Sequence, residues 1–191
     1  MCIRDSPGAR EGGAVRHPGP LPPRHTVENA LAAAALTRAA GVSPEAVRDG
    51  LRAFEPGAHR IQPVATTRGV LWVNDTKATN PHATDASLSS FDPVIWIAGG
   101  LSKGVHYGDL VAAHAHRLKA VVLIGTDTAG LEQALAERAP QVPVHRAAEG
   151  IDAAPTDGRA VLAEAVRIAH ELSEQGDTVL LAPAAASMDQ F

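Results

Sequence analysis

The sequence has little of what would commit a protein to a membrane, to nucleic acid or to an oxidising compartment. It holds one cysteine, Cys2, so no disulfide can close within the chain, which fits a cytoplasmic location. No apolar run approaches the roughly 20 residues that span a bilayer. The start, Met1-Cys2-Ile3-Arg4-Asp5-Ser6, lacks the apolar stretch of a secretion signal. Lys and Arg number 17 against 21 Asp and Glu, and they are scattered, so there is no basic stripe for nucleic acid. Aromatic residues make up only 3%, which leaves Ala, Val, Leu and Ile to build the core. The nine histidines form no metal cage: His114 and His116 lie two apart on a helical stretch and face different ways. Neither a GxxxxGK[ST] phosphate loop nor a G-x-S-x-G nucleophile elbow occurs, so Ser187 is not read as a nucleophile.

What is present is an ordinary globular composition, with 45% apolar and 20% charged residues. A length of 191 residues accommodates one full domain and part of another. Residues 1–24 stand apart, with five of the fourteen prolines and four of the seventeen glycines, and are expected to be a poorly ordered or truncated leader. Four arginines against Asp5 and Glu11 give this leader +2; subtracted from the total of -4, that leaves -6 for the rest. From His25 to Ala40 the chain is rich in helix formers and stops at Gly41. Ser43-Pro44-Glu45 then supplies an N-cap, a first-turn proline and an acid, with Val47, Leu51 and Phe54 recurring at helical spacing. A helical pair is therefore expected over residues 25–56, broken at Glu55-Pro56-Gly57.

From residue 57 to 191 strands alternate with helices. Apolar β-type runs occur at Ile61–Thr66, Val70–Val73, Pro93–Ala98, Ala120–Ile124, Val142–Val144 and Thr178–Leu181. Helical stretches fall near Pro81–Ser90, Tyr107–Arg117, Thr128–Arg138 and Arg159–Glu174. The first two runs are close enough for a hairpin, and the others should lie parallel with right-handed crossovers. The expected fold class is α/β: a Rossmann-like, doubly wound, mostly parallel sheet of about six strands covered on both faces, preceded by the helical pair. Strand order is not readable from these patterns.

Four strands run into polar or glycine-rich segments, which in a parallel sheet emerge on one edge, where such folds bind ligands. They are Asn74–Asn80, Gly99–Gly104, Gly125–Thr128 and Ala182–Phe191. The first packs Asp75, Thr76, Lys77 and Thr79 onto the end of an apolar strand, just before a helix opened by Asn80-Pro81. Lys77, Lys103, Thr79 and Ser187 would meet around one crevice, and two ammonium groups with hydroxyls suit carboxylates or phosphates. Each residue also has a plainer role open to it: Asp75 as a helix cap, Lys103 as a solvated turn residue, Arg60 as a surface residue and Asn29 as a local cap.

Three segments together resemble the Mur ligase family: Asn74-Asp75-Thr76-Lys77-Ala78-Thr79-Asn80, the Gly-Gly-x-x-Lys of Gly99 to Lys103, and Pro183 with the Ala-Ser-Met-Asp-Gln-Phe that ends at Phe191. His25–Ala33 and Ala58-His59-Arg60 precede them in the matching order. The core at Asp75–Asn80 is similar to the branch that joins D-glutamate to UDP-N-acetylmuramoyl-L-alanine in peptidoglycan synthesis. The resemblance implies that residues 25–56 are the last helices of a central ATPase domain and that 57–191 are most of an amino-acid-binding C-terminal domain. It implies an ATP- and Mg²⁺-dependent ligase, cytoplasmic and monomeric, working through an acyl phosphate that the D-glutamate amine attacks. By position it implies nucleotide contacts for Asn29, Arg60, Asp75 and Lys77. It implies D-glutamate contacts for Thr76, Thr79, Lys103, Ser187 and Met188, with Lys77 and Lys103 as the catalytic lysines. The phosphate loop, most magnesium ligands and the UDP-binding domain belong to segments this sequence does not contain, so the chain alone is expected to be inactive. Two other classes fit the pattern: a folylpolyglutamate or cyanophycin type of ligase with another amino acid, and a non-catalytic Rossmann-like binding module.

Overall fold

A computed structural model describes residues 24–54, 57–102, 104–150 and 157–186. The expectations for residues 1–23, and for Lys103, Ser187 and Met188, lie outside them. The chain begins with two helices, α1 (Arg24–Ala39) and α2 (Pro44–Ala53). Gly41, at φ +86°, ends the first, and the Gly41 and Val42 amides donate to the Arg38 and Thr37 carbonyls at 3.0 Å. The Ser43 hydroxyl accepts from the Ala46 amide at 3.2 Å and caps the second, as its sequence demands.

Six strands follow in one sheet: β1 (Gln62–Thr67), β2 (Val70–Asn74), β3 (Val94–Gly99), β4 (Leu118–Ile124), β5 (Val144–Arg146) and β6 (Thr178–Leu181). Between them lie α3 (Pro81–Leu88), α4 (Gly108–His114), α5 (Ala129–Arg138) and α6 (Gly158–Leu172). β1 and β2 form the expected hairpin, turned by Arg68 and Gly69, whose φ values of +53° and +77° suit the right-handed twist of the pair. All other pairings are parallel.

The order is β1-β2-β6-β3-β4-β5, so the last strand inserts between the second and third. Side chains alternate across this sheet. Val94, Trp96, Ala98, Val121 and Leu123 pack against Leu88, Val111, Leu131 and Leu135 of α3, α4 and α5. Ile95, Ile97, Ala120, Val122 and Ile124 pack against Val161, Ala165 and Ala169 of α6. Three helices thus cover one face and one the other. The three crossovers that step outward use the first face and the one that steps back uses the second, so all four share one hand. β3 is buried on both sides throughout, and each large side chain it removes from water contributes about 1.5–3 kcal/mol.

Most element ends differ from expectation by a residue or two, β4 for instance starting at Leu118 and α6 ending at Leu172, and two differences have a visible cause. β5 begins at Val144 rather than Val142, because Pro143 has no N–H to offer the ladder and gives only its carbonyl to the Val121 amide at 2.9 Å. Val142, 6% exposed, instead packs into the core beside α5. α4 stops at His114, since Ala115–Arg117 turn directly into β4. Arg117 holds that corner by donating to the carbonyls of Leu88, Ser89 and Phe91.

Candidate functional site

The carboxyl ends of β2, β3, β4 and β6 share one edge, and their loops are stitched together through the backbone. The Asp75 amide donates to Leu181 O at 2.8 Å and the Ala184 amide to Ala78 O at 2.9 Å, which joins the loops after β2 and β6. The Gly99 amide donates to Pro183 O at 2.9 Å and the Leu101 amide to Ala186 O at 2.8 Å, which joins the loops after β3 and β6. Ser102 then reaches the loop after β4, giving both its amide and its hydroxyl to Asp127 Oδ2. Gly99 is irreplaceable on geometry: at φ +120°, a Cβ there would lie 2.1 Å from Ile124 O.

In the loop after β2, Asp75 is 6% exposed and Thr76 half-buried, while Lys77 and Thr79 face solvent. The helix cap is Asn80, whose side-chain oxygen accepts from the Ala83 amide at 2.9 Å. Asp75 therefore does not cap α3. Its Oδ2 accepts the Ser87 hydroxyl from within that helix. The Thr76 amide donates to Asn74 Oδ1 at 3.1 Å, an Asx turn that starts the loop.

Arg60 is brought to this edge by the segment leading into β1. His59 O accepts the Lys77 amide at 3.3 Å, and Asn74 Nδ2 lies 2.9 Å from His59 Nδ1. Arg60 itself is exposed, between His59 at φ +65° and Ile61 at φ +42°. A β-branched residue in the left-handed region is strained by about 1–3 kcal/mol. Buried Ala184, at φ +59°, is another non-glycine residue in the left-handed region on the same edge. Strain of this kind persists where surrounding structure over-determines it, and it clusters where ligands bind.

Asn29 lies exposed on α1, and none of the described hydrogen bonds connects it to these loops. The chemistry gathered at the edge is thus one buried carboxylate, an exposed ammonium and guanidinium, and threonine hydroxyls, a set that suits an anionic ligand. Among the described residues no group of three or more His, Cys, Asp or Glu is placed to hold a metal ion. Two side-chain pairings that complete the edge carried no signal in the sequence, although Asp127 lies in the Gly125–Thr128 loop already placed there. Ser87 is 12 residues from Asp75 and Asp127 is 25 from Ser102, distances that no local pattern encodes. Asp127 also acts on Tyr107, whose phenol is raised above its usual range first by burial and then by that carboxylate.

A separate concavity of about 730 Å³ lies at the β5 side of the sheet, with Leu135, Val142, Ile168 and Leu172 among its walls. Arg146 at its rim is paired with Glu132 and Glu149, and Arg167 with Glu164 and Glu171. Its guanidinium groups are thereby neutralised.

The family model of the Mur ligase glutamate ligase domain matches residues 59–185. The chain is 56% identical over 170 residues to a UDP-N-acetylmuramoylalanine--D-glutamate ligase of Streptomyces coelicolor, covering 89% of this chain and 35% of that one. It is 56% identical over 167 residues to the same-named ligase of Thermobifida fusca, with 87% and 34% covered. In three dimensions it is similar to UDP-N-acetylmuramate-alanine ligase MurC of Thermotoga maritima, with a TM-score of 0.57 at 16% identity over 87% of this chain and 36% of that chain. The chain spans about a third of the length of the relatives it matches.

Proposed function

The chain belongs to the Mur ligase family through its glutamate ligase domain, and on that premise we propose that it is the amino-acid-binding part of a ligase joining D-glutamate to UDP-N-acetylmuramoyl-L-alanine. The supporting observation is the sheet edge at which the Asp75–Asn80 loop, the Arg60 turn and the Gly99–Ser102 loop are hydrogen-bonded into one unit. The reaction couples ATP to amide formation. The alanyl carboxylate takes the γ-phosphoryl group, the D-glutamate amine attacks the acyl carbon, and the C–O bond to phosphate breaks as the amine proton leaves. The work left to this chain is positioning and charge.

Lys77 and Arg60, both exposed at the edge, offer the cations that hold nucleotide phosphates, and Asp75 offers a ribose acceptor. Because Ser87 already occupies Asp75 Oδ2, a ribose hydroxyl would use the other carboxylate oxygen. Thr76 and Thr79 supply hydroxyls toward the amino acid, and Lys103, Ser187 and Met188 complete its two carboxylate contacts. Asn29 on α1 serves the adenine. Residues 25–56 are the last helices of the central domain; their exposed Leu31, Leu36 and Phe54 are the apolar side chains such a domain would cover. The described residues do not form a magnesium site, so no step of this reading runs through the metal. The complete enzyme is proposed to be cytoplasmic and monomeric; no described helix is long and apolar enough to cross a membrane.

The test is to complete the ligase by joining this chain to the preceding two thirds of the Streptomyces coelicolor relative and to follow ADP release. D-glutamate should be the amino acid that drives turnover, and Asp75→Ala or Lys103→Ala should each lower kcat/KM by roughly 100-fold or more. Turnover driven by another amino acid moves the protein to a different branch of the family. Turnover unaffected by either substitution leaves a non-catalytic binding module. The isolated chain should bind ATP and D-glutamate weakly or not at all, and micromolar binding of either by calorimetry would overturn this reading.

A further inference from the structure

We propose that Ser87 is a positioning residue for the nucleotide, acting through Asp75 to set which carboxylate oxygen meets the ribose; this rests on the ligase reading above. The backbone of Asp75 is held on both sides: its amide donates to Leu181 O at 2.8 Å and its carbonyl accepts the Ala78 amide at 2.9 Å. Only the side-chain torsions are then left to settle. One contact settles them, because the Ser87 hydroxyl donates to Asp75 Oδ2 and is the one donor this carboxylate has among the described hydrogen bonds. Oδ1 is left as the open acceptor. A carboxylate repels phosphate and can take only a donor, which leaves it the hydroxyls of a nucleotide rather than its anionic end.

Ser87 can carry this role without carrying the fold. The helix it sits on, α3, is fixed to the loop by Asn80, whose side chain accepts the Ala83 amide at 2.9 Å, by Thr84 Oγ1, which donates to Ala78 O at 3.3 Å, and by Leu88 in the core. None of these contacts passes through Ser87. Its hydroxyl has one proton and two acceptors in reach, Asp75 Oδ2 and, at 3.1 Å, the Ala83 carbonyl one turn back. A serine inside a helix commonly takes the second of these, but the carboxylate is the stronger acceptor. Either partner can therefore be removed cleanly. Without Asp75 the hydroxyl returns to Ala83 O, and alanine at position 87 favours the helix. Without Ser87, however, the buried Oδ2 loses its donor, and the carboxylate turns to recover hydration and takes Oδ1 away from the ribose.

The test compares ATP with 2′,3′-dideoxy-ATP, which lacks both ribose hydroxyls, in the completed ligase. The ratio of their kcat/KM values isolates the ribose contact and does not depend on how much of a sample is folded. Ser87→Ala should raise the KM for ATP roughly 5- to 30-fold, lower that ratio by a similar factor and leave the KM for D-glutamate within about twofold. Asp75→Ala should lower the ratio at least as far, and adding Ser87→Ala to it should lower it no further, because both remove one interaction. Equal losses with the two nucleotides in Ser87→Ala would show a merely structural serine and overturn the proposal. If Asp75→Ala abolishes the preference for ATP and Ser87→Ala keeps it, Asp75 reads the ribose unaided and Ser87 has no positioning role. If neither changes it, the ribose contact of Asp75 fails and the role of Ser87 with it. The ligase reading is judged separately, by whether D-glutamate drives turnover of the unsubstituted protein.

Discussion

Replacing Trp96 by Phe tests whether the sheet core and the site edge are one mechanical unit. Trp96 is fully buried in the middle of β3, and its indole N–H donates to Ala182 O at 2.8 Å. Ala182 opens the loop after β6, which binds the loops on either side of it through Pro183 O, the Ala184 amide and Ala186 O. Phenylalanine keeps the ring in the core but loses the donor and part of the indole volume. The lost hydrogen bond costs about 1 kcal/mol net, and the atoms removed from a packed site add about 1–2 kcal/mol, for a total of about 2–3 kcal/mol. With a urea m-value of about 2 kcal/mol/M, the midpoint of unfolding should fall by roughly 1–1.5 M while m stays constant. Hydrogen exchange in native buffer should accelerate at the Gly99 and Ala184 amides, whose partners lie on or against the loosened loop. Trp72→Phe is the internal control, because Trp72 is half-buried and tilted against His170 at 6.3 Å with no core donor to lose. A Trp96→Phe protein within about 0.5 kcal/mol of the parent, below the net worth of one buried hydrogen bond, would refute the geometry.

Gly99→Ala should destabilise the chain by more than about 3 kcal/mol or prevent folding, because a Cβ 2.1 Å from Ile124 O forces the backbone to move. Gly176→Ala, with φ +101° but nothing within 4 Å of the new Cβ, should cost only about 1–2 kcal/mol in the same thermal melts; equal losses would show that the contact is not the cause. Asn80→Ala should lose about 1 kcal/mol by removing the α3 cap and Asn80→Ser should restore most of it, so an indifferent Asn80→Ala in urea titrations would contradict the cap. Lys119 donates to Asp177 and Glu174 at 2.7 Å each, and these bonds, that to Asp177 foremost, raise its pKa above the ordinary 10.5. The folded chain therefore holds that proton more tightly than the unfolded one, so the gain is full below pH 10.5 and is lost as pH climbs through the raised value. The stability difference between the parent and Lys119→Met should be flat across neutral pH and shrink in alkaline buffer, and a gap still undiminished at about pH 12 would exclude the pair as its source.

The legible parts of this protein are those encoded by residues close together in the chain. The continuous apolar run of Val94–Gly99, buried on both faces, the Asn80-Pro81 start of α3, the Gly41 stop of α1 and the short span between β1 and β2 each rest on a few consecutive residues. The Asp75–Asn80 segment stood out because polar groups follow a buried strand directly. Small differences fall at element ends, where Pro143 shortens the β5 ladder through its own missing N–H and Arg117, donating to carbonyls at the end of α3, holds the corner after α4. The role of Asp75 as a cap was a local reading that a distant hydroxyl, Ser87, displaced.

By itself, then, the order of residues determined the alternation of strands and helices, the parallel class of the sheet and which loops carry the polar chemistry, because periodicity and capping are properties of neighbours along the chain. Only the tertiary structure decided that β6 enters between β2 and β3, which sets its loop against both of theirs and closes the edge into one unit. It also decided the pairs Asp75 with Ser87, Ser102 with Asp127 and Trp96 with Ala182. Such contacts join groups that are remote in sequence, and their energy appears only after the hydrophobic faces have fixed where each strand lies.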